Sequence, residues 1–321
     1  MALTELSAIK PGLRIGRLSV VEVYPEGRGG MSRVVRARQA EARGEEEVAL
    51  KISRVGSHQT YYFSAIHKEV EILQRLRHAG VVRLAPVSDG KIRFKERAVE
   101  ISGSPWFFGM ECLYGGSLEN YIRTVGPLNL GETAAIAHQV GMALQHVHEH
   151  GFAHNDVKPD NILFRRKLKV GDRLEPVLID FGVAAKLVRQ QLDGSVVYMA
   201  PERLQEVRDP GPPEAPVDPA KADVWSMGIL LYRMLIGREP FLGVTDRTIT
   251  SAILRSSPVP MGKTRQDVPP AIDEFVMEGC LAKRPQLRVG MAEFVEFIER
   301  YSADWRTQRV VSTKRRILGK G

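Results

Sequence analysis

His154-Asn155-Asp156-Val157-Lys158-Pro159-Asp160-Asn161, followed 24 residues after Asp156 by Asp180-Phe181-Gly182, is the stretch on which the reading of this chain turns. It sets a carboxylate able to accept a hydroxyl proton, Asp156, beside a cation, Lys158, and adds two oxygen donors of the kind Mg²⁺ prefers, Asn161 and Asp180. Moving a phosphoryl group needs positioning and charge neutralisation more than covalent chemistry, and these four side chains supply both.

Upstream, Glu26-Gly27-Arg28-Gly29-Gly30-Met31-Ser32-Arg33-Val34 is a glycine-rich turn between two strand candidates. Glycines let a backbone approach phosphates closely, but the lysine-threonine of a Walker loop is absent, so on its own the turn reads equally well as a plain hairpin. Val48-Ala49-Leu50-Lys51 then ends an apolar strand on a lysine. A buried lysine there needs a partner, and Glu69 on the next helix candidate can supply one, although by itself the pair reads equally as an ordinary surface salt bridge.

Taken in order, these motifs resemble a eukaryotic-like (Hanks-type) serine/threonine protein kinase, of the bacterial type and soluble. Ala200-Pro201-Glu202 resembles the motif that closes the family's activation segment, Asp223-Val224-Trp225-Ser226-Met227-Gly228 its central large-lobe helix, and Arg288 the arginine that pairs with Glu202. The resemblance covers roughly residues 18 to 301. It implies an α+β, two-lobed protein kinase fold, with a small antiparallel-sheet N-lobe carrying one main helix and a larger helical C-lobe. It further implies ATP and Mg²⁺ or Mn²⁺ as cofactors, and proteins with serine or threonine as substrates. Gly27, Arg28, Gly29, Gly30 and Val34 would cover the nucleotide, and Lys51, held by Glu69, would contact its α and β phosphates. Ala49 and Leu163 would sandwich the adenine, with Met110 at the back of its pocket and the backbone of Glu111 and Leu113 along its edge. Asp156 would be the catalytic base, assisted by Lys158 and Ser195, while Asn161 and Asp180 would hold the metal. Leu73, Phe181 and His154 would stack into an internal column.

Three departures from the family pattern stand out. Ser32 takes the place of the third glycine, and Asn155 replaces the arginine that usually precedes the catalytic aspartate. Residues 183–194 contain no serine, threonine or tyrosine. With both the phosphate site and its cationic receptor missing, activity independent of activation-segment phosphorylation is expected. The third departure is a short basic tail where many bacterial relatives place a transmembrane helix. Two alternatives are weaker. A pseudokinase scaffold usually lacks one of Lys51, Glu69, Asp156, Asn161 or Asp180, and small-molecule kinases of the antibiotic type generally lack the Ala-Pro-Glu and Asp-Val-Trp-Ser segments.

Composition agrees with a folded protein. The 321 residues are 43% hydrophobic and 26% charged, a length at which two lobes are more natural than one core. Cys112 and Cys280 stand far apart, which excludes a disulfide scaffold and a zinc ribbon, and a cytoplasmic setting is expected. The apolar run Met227 to Gly237 is too short to span a bilayer and is broken by Arg233, so no membrane association is expected. Of the net charge of +8, the last 21 residues contribute five, from six Lys or Arg against Asp304 alone. A nearly neutral body gives no reason to expect nucleic-acid binding; the tail reads as a solvated terminus or as a contact for an acidic partner.

The boundaries expected are an N-terminal extension at 1–17, an N-lobe at 18–112, a C-lobe at 113–301 and a basic tail at 302–321. Strands are expected at Leu18–Tyr24, Val34–Ala37, Val48–Ile52 and Trp106–Cys112. Phe63, Ile66, Val70, Leu73 and Leu76 fall on one helical face, and helices are expected over Glu132–His150 and Ala222–Ile236, each closed by a glycine. The five prolines of 209–220 predict an extended loop. His146, His148, His150 and His154 crowd together and invite a metal reading, but structural roles near a helix end are the stronger expectation.

Overall fold

The computed structural model describes residues 3–24, 32–39, 47–89, 93–182, 196–208, 218–302 and 304–314. Of the expectations above, Gly27, Arg28, Gly29, Gly30, Ser195, the proline-rich loop at 209–217 and the last seven residues lie outside them. The chain divides into two compact units, residues 1–77 with 82–112, and residues 78–81 with 113–321.

The first unit is built on an antiparallel sheet with strands β1 (Arg14–Ile15), β2 (Leu18–Val23), β3 (Ser32–Gln39), β4 (Glu47–Ser53), β5 (Leu84–Ala85), β6 (Lys95–Arg97) and β7 (Trp106–Glu111), and it carries helix α1 (Gln59–Arg75). The order across the sheet is β1-β2-β3-β4-β7-β5, with β6 also on β7. Side chains alternate between faces along a strand, so one face settles the other. Val35, Ala37, Val48, Leu50, Ile52 and Phe107 enter one buried apolar cluster. Val34, Ala49, Lys51, Phe108 and Met110 therefore point to the opposite face, with Val34 opposite Lys51, Lys51 opposite Phe108, and Ala49 opposite Met110 in the ladder. The stretch read as an N-terminal extension is in part structural: β1 pairs with β2, Thr4 bridges to Ile101, and Ile9 and Ile15 join the apolar cluster. Its signal was weak because two residues of strand carry no readable period.

The second unit contains α2 (Leu118–Val125), α3 (Leu130–Glu149), the hairpin β8 (Ile162–Phe164) and β9 (Pro176–Leu178), α4 (Pro201–Arg208), α5 (Ala220–Ile236), α6 (Asp246–Arg255), α7 (Met261–Thr264), α8 (Pro270–Glu274) and α9 (Met291–Tyr301). Helix α3 begins at a capping box in which Asn129 and Glu132 satisfy each other's backbone N–H. Helix α5 is apolar nearly all round and accordingly buried, and it ends on Gly237 at φ +81°. Gly228 in its middle lets the helix pack closely, since a Cβ there would fall 2.7 Å from that of Cys280.

The tail departs from its reading as a solvated terminus. The Trp305 ring stacks on His138 of α3 at 3.7 Å, and Val310 is buried. Val310 N–H donates to the Asp172 carbonyl and its own carbonyl accepts from Gly171 N–H. Val311 N–H and the Tyr121 hydroxyl both donate to the buried carboxylate of Glu132, and Tyr121 also reaches the Ser312 carbonyl. Residues 304–314 thus form a strap held by backbone hydrogen bonds and one ring stack. Trp305→Ala is expected to lower stability by about 2 kcal/mol, below the roughly 3–5 kcal/mol of fully buried aromatic truncations because the ring is only part-buried. A urea midpoint identical to that of the wild type would show that the Trp305–His138 stack contributes nothing.

Candidate active site

In the first unit, Lys51 Nζ donates to both carboxylate oxygens of Glu69 at 2.9 and 2.7 Å. Both side chains are buried, at 8% and 1% exposed. Glu69 sits on the inward face of α1 with Ile66, Ile72 and Leu73 at helical spacings of three and four, which is why a carboxylate comes to be buried there. Phe63, expected on that face, is only half-buried, and Ile72 joins it. A buried ion pair of this kind is weak evidence for stability, since desolvation offsets much of its attraction; it fits a position where a cation must be held in place. At the end of β7, Glu111 N–H donates to the Arg83 carbonyl at 2.9 Å. That N–H is therefore committed within the sheet.

In the second unit, α3 ends and Gly151, at φ +77°, turns the chain into the loop 152–161. The organiser of this loop is Asp223, fully buried in α5. Its carboxylate accepts the N–H groups of His154 (2.8 Å) and Asn155 (2.7 Å) and the Nε2 atom of His148 (2.8 Å). The role of Asp223 was not read from the sequence beyond its place in a motif, although an acid inside an otherwise apolar helix is itself a signal of buried hydrogen bonding. Asn155 adopts φ +61°, a left-handed conformation that asparagine tolerates well. His154 Nε2 lies 3.0 Å from the Ile179 carbonyl, and its ring meets Phe181 edge-on at 4.7 Å.

The loop presents Asp156 within a tight polar group. Lys158 Nζ donates to both carboxylate oxygens at 2.9 and 2.7 Å, and Asn161 Nδ2 donates to Oδ2 and to the Asp156 carbonyl, each at 2.8 Å. With its nitrogen on Asp156, Asn161 has its amide oxygen as the end suited to a cation. Ile179 N–H donates to the Asn161 carbonyl, which ties the strand end carrying Asp180 to the same loop. Asp180 itself adopts φ +67°. Amide and carboxylate oxygens are the donor chemistry Mg²⁺ takes, so these residues fit that ion.

The crowded histidines are engaged separately. His148 is on Asp223, His154 on Ile179, and His150 Nδ1 lies 2.8 Å from the His146 carbonyl. Among the described residues no group of three or more His, Cys, Asp or Glu is arranged to hold a metal.

Residues 23–297 match the protein kinase domain family. The chain belongs to that family. Among curated relatives, the serine/threonine-protein kinase PkaA of Streptomyces coelicolor is 30% identical over 281 residues, covering 82% of this chain and 46% of PkaA. The serine/threonine-protein kinase PknB of Mycolicibacterium smegmatis is 28% identical, covering 82% of this chain and 39% of PknB. A solved structure of Rad53 1-466 in complex with AMP-PNP superimposes with a TM-score of 0.66 at 25% identity, covering 87% of this chain and 64% of that one. The chain spans less than half the length of these two curated relatives.

In this kinase domain the segment after residue 195 is anchored from below. Arg288, buried, uses every N–H it has: Nη1 and Nη2 each donate to a Glu202 oxygen at 2.7 Å, and the rest go to the carbonyls of Ala282, Lys221 and Lys283. Ser226 Oγ donates to the Tyr198 carbonyl at 2.8 Å. Burial, with Glu239 adding to it, pushes the Tyr198 phenol well above its usual range, so it stays a neutral donor. Burial, with Arg288 beside it, brings the Lys283 ammonium down to about 8. Among the described residues no helix is long and apolar enough to cross a membrane.

Proposed function

We propose that this kinase domain transfers the γ-phosphoryl group of ATP to serine or threonine hydroxyls of proteins. The observation that carries the reading is the Asp156 carboxylate, held by Lys158 and Asn161 on a loop anchored to the buried Asp223. The kinase names of the relatives support it.

In this reading the substrate hydroxyl approaches Asp156, which orients it and takes its proton as the new P–O bond forms; ADP leaves from the opposite side of the phosphorus. Lys158 fixes the carboxylate from one side and carries positive charge toward the transferring group. Lys51, fixed by Glu69, contacts the α and β phosphates, which positions the γ phosphate without further ordering cost. Asn161 and Asp180 are the residues that would hold Mg²⁺, which when bound neutralises charge on the phosphate oxygens. Val34, Ala49, Met110, Glu111, Leu113 and Leu163 receive the adenine end; Gly27, Arg28, Gly29, Gly30 and Ser195 complete the proposed set. Cytoplasmic protein substrates, and an acidic partner for the end of the basic tail, extend the same reading.

Regulation follows from Asn155. Its N–H is bound to Asp223 and its side chain carries no charge, so it offers a phosphate no cation. Activity is therefore expected without phosphorylation between residues 180 and 202. Enzyme from phosphatase-coexpressing cells, shown unphosphorylated by mass spectrometry, is expected to turn over without delay. A lag abolished by pre-incubation with ATP, with phosphate mapped to that segment, would contradict this. The reading as a whole is tested by incubating the protein with γ-labelled ATP and a generic basic protein, followed by acid hydrolysis. Label in phosphoserine and phosphothreonine is expected, and label confined to phosphotyrosine would overturn the assignment.

A further inference from the structure

Helix α1 carries a second polar contact, two residues before Glu69, that the proposed chemistry does not use. His67 Nδ1 lies 2.5 Å from Lys95 Nζ on β6. The ring also meets Trp106 of β7 edge-on at 4.6 Å, and the Arg97 guanidinium lies over the same Trp106 ring at 5.5 Å. An ammonium has only protons to offer, so His67 Nδ1 must be the acceptor, and the contact exists only while that nitrogen is unprotonated. The charged groups facing the ring are Lys95 and Arg97 from β6 and Glu71 from α1 itself; β7 contributes Trp106, which does not titrate.

We propose that His67 is a proton-operated latch between α1 and the sheet: its neutral ring accepts from Lys95, and its protonation loosens α1 and with it the Lys51–Glu69 pair. Protonated, His67 loses the hydrogen bond and becomes a third cation beside Lys95 and Arg97, with Glu71, among the described residues, as the acid set against them. The docked helix holds the His67 imidazole below its usual range, chiefly through burial and then through Lys95. In an undocked helix the ring titrates normally, at about 6.5. The docked state accordingly keeps its full stability above that pH. It loses stability as pH falls from there toward the lowered value, and loses no more below it. Glu69, on the same inward face, moves with the helix.

The link to catalysis rests on the kinase reading above, so the test reads the helix directly as well. Hydrogen exchange of peptides spanning 59–75 is compared in the full chain between wild type and His67→Gln, which keeps an acceptor that does not titrate. Taking the ratio of the two proteins at each pH cancels the intrinsic exchange rate. The wild-type to variant ratio is expected to rise about three- to fivefold between pH 7.5 and 5.8, the span over which a group of ordinary pKa near 6.5 takes up its proton. Lys95→Gln, which removes the neighbouring ammonium but leaves the burial, should lessen the same rise without abolishing it, and serves if His67→Gln does not fold. Ratios that stay constant with pH in both comparisons overturn the latch. Phosphoryl transfer measured on the same samples separates the two proposals. A pH-dependent exchange ratio with no transfer at any pH would sustain the latch and overturn the kinase reading; transfer with constant ratios would do the reverse.

Discussion

Asp156→Asn is expected to bind ATP as the wild type does and to lose turnover by on the order of a thousandfold or more, about 4 kcal/mol of barrier. Asparagine fills the same space, and none of the residues proposed to touch the nucleotide is altered, so affinity is spared. The lost property is the ability to accept a proton while the substrate oxygen bonds to phosphorus. The substitution also places an amide N–H₂ among the donors of Lys158 and Asn161, which now hold two carboxylate oxygens. The variant should therefore show a lower kcat at unchanged nucleotide affinity. Near wild-type turnover would show that Asp156 is not the base.

Arg288→Ala is expected to have the largest effect on stability, about 3–5 kcal/mol, the cost of leaving one half of a buried ion pair without its partner. Glu202 would remain buried with no cation, and the three carbonyls of Ala282, Lys221 and Lys283 would lose a common donor. Arg288→Lys should recover only part of this, because a single ammonium cannot reproduce two parallel bonds to Glu202. Both variants belong in one urea titration beside the wild type. Equal midpoints for wild type and Arg288→Ala would remove the anchor from this account.

Much of the fold was readable because its signals are local. The helical spacing of Ile66, Val70 and Leu73 and the glycines after α3 and α5 each depend on neighbours within a turn or two. The loop from His154 to Asn161 was readable for a different reason: its chemistry is concentrated in eight consecutive residues. What escaped was settled by partners far along the chain. Asp223 acts on a loop some 70 residues away, and Glu132 receives Val311 from 179 residues away. The strap carries only Trp305, Val310 and Val311 as large apolar residues, too few to show a period, and backbone groups do most of its binding. His67 next to Lys95 was equally invisible, since two basic residues 28 apart give no reason to expect a hydrogen bond between them.

The central claim, that this chain is a working phosphotransferase and not a nucleotide-binding scaffold, is tested most directly by one paired measurement. Wild type and Asp180→Ala are each incubated with γ-labelled ATP, Mg²⁺ and a serine- and threonine-containing protein, and label transferred in the first turnovers is counted. Transfer by the wild type, reduced by at least about a thousandfold in Asp180→Ala, is the predicted result. Wild-type protein that binds ATP and transfers no more label than Asp180→Ala would contradict it.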